Sequence, residues 1–426
     1  MTERERRERR PLIFAIVALC LVATLMRPAV TAVGPVIDRI SADTGIPLAL
    51  LGSLSTIVLI TWAIVSPFAH GFGRRLGLGG AVLAAMGLLA AGTIVRSLPG
   101  STAWLWIGTA IIGIALAIGN VLLPAVIKRD FPLRVPMMMG VYSAILGGAG
   151  AVASGLAVPI ANATGSDTGT GWRLSLLLTG AAVAPLALLA WWLVSRHEIR
   201  AMRAAAPVPA SRLGIWRDPV AWQVAGYMGV QSTTFYVLVT WIATMSLDTG
   251  RSDTLAGIDV MVYQVFSLVG SLTVALAMRG RGARLTPAAL PLLGIAGIAG
   301  LMLRPDAIGF WVVPLGVFSG MSLGVSLTLM AERARDHGAS SALSGMSQAV
   351  GYAIAAVGPA LFGAVHAITG SWTLALTILL VDDAAGMDRR VRRARPVRAR
   401  RPVSRPVGPS TGSGTDRLSD RRQAGR

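Results

Sequence analysis

Few side chains in this 426-residue chain could do chemistry, and the most telling one is a cation stranded in apolar sequence. Arg27 lies in the run Leu25-Met26-Arg27-Pro28-Ala29-Val30-Thr31, and residues 11–37 are otherwise apolar or small apart from Thr24 and Thr31. At about 1.5 Å per helical residue it sits about 24 Å into a first span, past the middle of a bilayer. A charge at that depth costs roughly 2.5 to 3.5 kcal/mol on insertion scales, so it normally meets a partner or a wet cavity. The alternative is that Arg27 snorkels to the headgroups, but ten mostly apolar residues follow before Asp38-Arg39. A fixed guanidinium in a low dielectric attracts a small anion, or a nitro or carboxylate group that its planar fork can grip twice.

Other polar groups in apolar runs are Asn120, Gln231, Tyr236, Tyr263, Gln264, Ser322, Ser326, Gln348 and Tyr352. Ser344, Gln348 and Tyr352 are spaced by four and share a helix face, while Gln231, Thr234, Leu238 and Trp241 form a second stripe. A single Ser or Thr in such a place usually bridges helices. For Arg27, Gln231 and Gln348, contact with a solute is the better reading, with Tyr236, Tyr352 and Trp241 as aromatic walls.

These groups need spans to hold them. A chain that is 54% hydrophobic and 14% charged, with 49 Gly and a mean hydropathy of +0.64, is a polytopic membrane protein. Apolar runs cover 11–37, 48–69, 79–95, 102–127, 137–160 and 174–194, then 220–247, 256–278, 285–303, 308–330 and 342–368. Residues 1–10 read as a cytoplasmic basic N-terminus, 195–219 as a cytoplasmic linker, 11–194 and 220–381 as two halves, and 382–426 as a disordered basic tail. Spans 3, 6 and 9, nearly all Ala, Leu, Gly and Ile, are expected to face lipid. Spans 1, 4, 7, 8, 10 and 11 carry the polar groups and are expected to enclose a cavity. Pro124, Pro159, Pro314 and Pro359 mark kinks, and the Gly147, Ala151 and Gly155 ridge marks close packing.

Lys and Arg fall unevenly on the two sides, twenty on the side of the N-terminus against Arg39, Arg96, Arg173, Arg251 and Arg304 on the other. The positive-inside rule then puts the N-terminus in the cytoplasm. The halves also repeat at an offset near 200: Lys128-Arg129-Asp130 against Glu332-Arg333-Ala334-Arg335-Asp336, and Gly171-Trp172 against Ser371-Trp372. Equivalent loops share a side, so the fold is all-α with two parallel six-helix halves and a site near mid-membrane between them.

The runs from Leu25 to Pro35, from Gly113 to Pro132 and from Gly345 to Trp372 resemble the cyanate/2-nitroimidazole transporter branch of the major facilitator superfamily. The resemblance covers residues 11–381. It implies a twelve-span facilitator of the inner membrane that alternates inward and outward openings, driven by an ion gradient with the proton as the coupling ion. It also implies that Arg27, Gln231-Ser232 and Phe235-Tyr236 face substrate, and that Arg74, Arg75, Lys128, Arg129 and Asp130 belong to cytoplasmic gating loops. Together with Asn120, Gln264, Gln348 and Tyr352 these are the candidate site residues. The expected partners are a small anionic or dipolar solute and the bilayer, with the chain acting as a monomer and with no nucleic acid, cofactor or metal.

Two alternatives remain. A polytopic enzyme would want paired acids or a nucleophile with a base, but His70, His197, His337 and His366 are scattered and no HExxH, CxxC or GxSxG run occurs. An inactive carrier is the other. Span 12 has ten apolar residues, 372–381, before Asp382-Asp383 is expected to end it, and the tail beyond holds 13 Arg and 5 Asp. That abrupt change suits a frame-altered stretch better than a lipid-binding tail. Asp38, Asp259 and Glu332 lie near span ends, where solvated structural roles are expected.

Overall fold

A computed structural model describes residues 3–131, 134–163, 170–202, 214–277, 282–332 and 337–385. All secondary structure there is helical. In the first half, α1 (Glu3–Met26) and α2 (Pro28–Thr31) form span 1, followed by a 3-10 turn (Gly34–Val36) and α3 (Ile37–Thr44). Then come α4 (Leu48–Leu51), α5 (Ser53–Leu76), α6 (Leu78–Arg96), α7 (Ala103–Asp130), α8 (Val135–Asn162), α9 (Thr170–Ala181) and α10 (Ala184–Met202). The second half has α11 (Pro219–Asp248), α12 (Asp253–Ala277), α13 (Gly282–Leu303), α14 (Ile308–Glu332), α15 (His337–Ala355), α16 (Val357–Thr369) and α17 (Trp372–Ala385).

Among the described residues nine helices are long and apolar enough to cross a membrane, and α11 is not one of them. Its Gln231, Ser232, Thr234, Tyr236, Thr240 and Thr244 lower its hydropathy, yet all six are buried. A polar helix of 30 residues is stable here because protein surrounds it. Asp218 starts it cleanly, accepting from Val220 N at 2.8 Å, with Pro219 at the first position where no N–H is needed.

The parallel repeat is visible as a duplicated latch. Trp172, at the start of α9, donates its indole N–H to Asp43 near the end of α3 at 3.1 Å. Trp372, the first residue of α17, donates to Asp248, the last of α11, at 2.7 Å. A ring or cation lies over each tryptophan: Arg173 over Trp172 at 4.2 Å, and His366 stacked on Trp372 at 3.6 Å.

One hydrophobic cluster joins the whole first half to the far end of the second, including Phe235 to Met245 and Ala355, Ala356 and Phe362. At the end nearer the N-terminus the second half has clusters of its own, around Ala221, Val224, Leu343 and Met346 and around Tyr227, Leu290 and Phe318. Polar bonds across the seam run from the middle to the far end: Gln264 to Gly150, Ser55 to Thr240, Thr56 to Ala356 O, Thr244 to Asp38 and Arg39 to Asp253. Gly52 and Gly363 make room there for Trp241, whose indole donates to Pro359 O at 2.9 Å.

Several expectations change. Span 1 is broken at Arg27 and again at Pro35, a break the sequence did not announce; α7, α8 and α14 are unbroken helices with Pro124, Pro159 and Pro314 inside them. Span 11 does break, at Ala356, three residues before Pro359. Span 3 is 44% buried over its apolar window against 28% for span 6, because Gly92 and Gly108 bring the backbones of α6 and α7 together. Span 6 has the lowest buried share of the nine apolar windows, as expected of a lipid-facing helix. Asp382-Asp383 does not end α17, which runs to Ala385. Residues 386–426, with most of the basic tail, lie outside the described residues.

Candidate functional site

The break in span 1 builds the site. Pro35 has no N–H, so the carbonyl of Thr31 loses its helical donor, and the tighter turn from Val30 to Val33 leaves that of Ala29 without one. Buried carbonyls must be satisfied. Ser154 Oγ donates to Thr31 O at 3.0 Å and Arg96 Nη1 donates to Ala29 O at 2.6 Å. Arg96, expected in a loop, is therefore 1% exposed and holds the broken segment from behind. Thr31 Oγ1 donates to Gly150 O at 3.1 Å, fastening the same segment to α8.

Arg27 projects from this break to the seam between the halves. Its guanidinium lies 4.4 Å from the centre of the Phe235 ring, a cation–π contact reaching from span 1 to span 7. It hydrogen-bonds with Tyr236, and the hydroxyls of Tyr142 and Tyr352 lie within its field. Only glycine fits beneath it: a Cβ on Gly150 would come within 2.6 Å of Arg27 Cγ and 3.0 Å of Gln264 Oε1. Met26, Arg27, Val30, Trp62, Asn120, Leu146 and Tyr236 line a tight cavity, with room in this conformation for little more than one water. No carboxylate is among them. Larger hollows along α16 are lined by Thr, Ile, Val, Ala and Leu and carry no ionisable group.

Arg27, Asn120 and Tyr236 thus line one cavity. Tyr352 adjoins it through Trp62, ring centres 4.9 Å apart. Gln264 flanks Gly150 and donates to Ser154 Oγ at 2.7 Å, bridging the halves. Gln231 is buried one turn before Phe235 and donates to Ser232 Oγ at 2.7 Å, on its own helix. Gln348 stands one turn before Tyr352 on α15 and is half-buried. Trp241 lies away from the cavity, in the far-end closure with Trp372. Arg74, Arg75, Lys128 and Arg129 are exposed at the end of the bundle nearer the N-terminus, with Arg129 paired to Asp130. Asp259 is not solvated as expected: it is 2% exposed, paired with Arg251 at 2.9 Å and bonded by Ser246. Glu332 carries no described side chain.

Trp62, Tyr142, Arg96 and Gly150 escaped the sequence reading. Trp62 and Tyr142 count as apolar in a membrane run, and Gly150 is one glycine in a rich stretch. Arg96 could have been found only by noticing that a broken first span needs donors.

The apolar helices pack around a cation at the seam between two halves, and the sequence profile of the Major Facilitator Superfamily matches residues 19–359. The chain belongs to the major facilitator superfamily. Within it the chain falls in the branch of nitroimidazole and cyanate transporters. It is 34% identical over 389 residues to the 2-nitroimidazole transporter of Escherichia coli (strain K12), covering 89% of this chain and 97% of that one. It is 24% identical over 363 residues to the cyanate transport protein CynX of the same organism, covering 84% and 91%. The fold matches the crystal structure of a D-xylose–proton symporter with a TM-score of 0.66 at 15% identity, over 88% of this chain and 97% of that chain. This member of the superfamily is a membrane transporter of a small molecule.

Proposed function

We propose that the chain is a secondary active transporter for a small, planar, acceptor-rich solute, anionic or strongly dipolar, of the kind that cyanate and nitro-heterocycles exemplify. The observation that carries this reading is the Arg27 cavity: a guanidinium at the seam of the halves, walled by Phe235, Tyr236 and Trp62, with the Asn120 amide and no acid. Donors without a carboxylate favour a ligand that only accepts. Gln231, Gln264, Gln348 and Tyr352 complete the site as the halves rearrange, and alternating access follows from the seam. The halves are fused at the far end and keep separate cores at the other, which supports a resting state open on the side of the N-terminus.

The twenty-to-five charge asymmetry supports a plasma-membrane protein with that side cytoplasmic. Arg74, Arg75, Lys128, Arg129 and Asp130 then form the cytoplasmic gate. Proton coupling and a monomeric transport unit belong to the proposal on kinship alone. Counterflow in proteoliposomes tests it: preloaded unlabelled 2-nitroimidazole or cyanate should drive uptake of its labelled form. Chemical conversion of either compound without exchange would contradict the proposal and indicate an enzyme.

A further inference from the structure

The protein supplies an acceptor for nearly every buried indole it is seen to use structurally. Trp191 donates to Gly79 O at 2.9 Å, Trp241 to Pro359 O at 2.9 Å and Trp172 to Asp43 at 3.1 Å. Trp62 is different. It is 3% exposed, and its Nε1–H has no partner among the described residues. An orphaned buried donor forfeits the desolvation free energy of its N–H, and natural proteins tolerate few of them. Trp311 Nε1 is a second such donor, but it belongs to a half-buried residue in the second half, outside the Arg27 cavity.

Trp62 lines that cavity. Its ring is held from two sides by phenol rings, Tyr236 at 5.8 Å and 84° and Tyr352 at 4.9 Å and 71°. Both tyrosines belong to the second half, whereas Trp62 and Arg27 belong to the first. The indole therefore packs across the seam, while its one hydrogen-bonding group is left without a partner among the described residues, on a residue that shares its cavity with Arg27. A ring fixed by packing with a free donor is a preorganised recognition element.

We propose that the Trp62 indole N–H is a specificity-determining donor of the transport site, which with Arg27 holds a planar two-acceptor group such as a nitro or carboxylate group. Arg27 supplies charge, which any anion satisfies. Trp62 supplies a second, directional donor, which rewards an acceptor atom set off from the first in the same plane. The inference rests on the transporter reading and deepens it.

The test is equilibrium binding of two probes, 2-nitroimidazole and 2-methylimidazole, to purified wild-type protein and to Trp62→Phe, which keeps an aromatic edge for Tyr236 and Tyr352 but lacks the N–H. The wild type should prefer the nitro compound, and Trp62→Phe should reduce that preference about tenfold, in line with loss of one hydrogen bond to a strongly accepting group. The ratio of the two affinities is read because general damage to the site weakens both probes together. Should Trp62→Phe not give monodisperse protein, Trp62→Leu is judged by the same ratio. Saturable binding of 2-nitroimidazole with an unchanged ratio in the variant overturns the role of Trp62 and leaves the transporter reading standing. Absence of 2-nitroimidazole binding to the wild type overturns both.

Discussion

The first helices of the two halves start from equivalent places in the repeat and end on the same latch, Asp43 with Trp172 and Asp248 with Trp372, yet one is broken and the other is not. Span 1 breaks at Arg27 and at Pro35, and its freed carbonyls are held by Arg96 and Ser154. Its counterpart α11 is an uninterrupted 30-residue helix that presents Phe235 and Tyr236 to the break. The lesson is a division of labour: the irregular helix delivers the charge, and the regular one gives it an aromatic wall. Irregular backbone at this depth is tolerated because it is enclosed by protein.

The largest effect on this comparison should come from forcing the two helices apart. A Cβ at Gly34 would lie 2.5 Å from Val239 O and 3.1 Å from Thr240 O on α11, so Gly34→Val prevents span 1 from seating. Cys20 is the chain's single cysteine, which makes the readout clean. With Cys20→Ser as background, a Ser55→Cys reporter at the buried Ser55–Thr240 contact should be shielded from an impermeant maleimide applied at the far side. Adding Gly34→Val should expose it and abolish transport. Equal labelling in both backgrounds would mean that the close approach of span 1 and α11 does not hold this end shut.

A smaller effect should follow from loosening the break without moving it. Arg96→Met leaves the Ala29 carbonyl buried with no donor, a cost of about 1 to 3 kcal/mol, whereas Arg96→Lys retains a donor. The Met variant should melt below the Lys variant, and the Lys variant nearer the wild type. A Met variant as stable as the wild type would show that burying the Arg96 charge costs as much as its hydrogen bond returns, and that the break needs no support from behind.

The fold was largely legible in the sequence, because hydropathy, charge asymmetry and an offset near 200 are properties of whole spans and survive local irregularity. Arg27 was legible for the opposite reason, being the charge that a membrane span cannot ignore. The rest was hidden by the same rules. The polar stripe of α11 was legible as a cavity-facing feature, but not that Ser232, Thr240 and Thr244 are buried along it as well. Counting Arg96 among the far-side loop charges missed that its side chain turns inward. Trp241 shares a helix face with Gln231, but the stripe spans enough turns to reach the far-end closure. Trp62 has no polar signature, and its unused N–H exists only once its neighbours are placed. The prolines did not tell which span breaks: α7, α8 and α14 run on through Pro124, Pro159 and Pro314, whereas span 1 breaks, with Pro28 and Pro35 on either side of a short turn.

The central claim is that Arg27, at the seam between the halves, is the anchor for the solute. The most direct measurement is binding of 2-nitroimidazole and of cyanate to purified wild-type protein beside Arg27→Ala, with thermal unfolding run on both samples. The account predicts saturable binding to the wild type, a loss of affinity of at least about a hundredfold in Arg27→Ala, and a variant that still unfolds cooperatively. Wild-type affinity retained by a folded Arg27→Ala protein would contradict it.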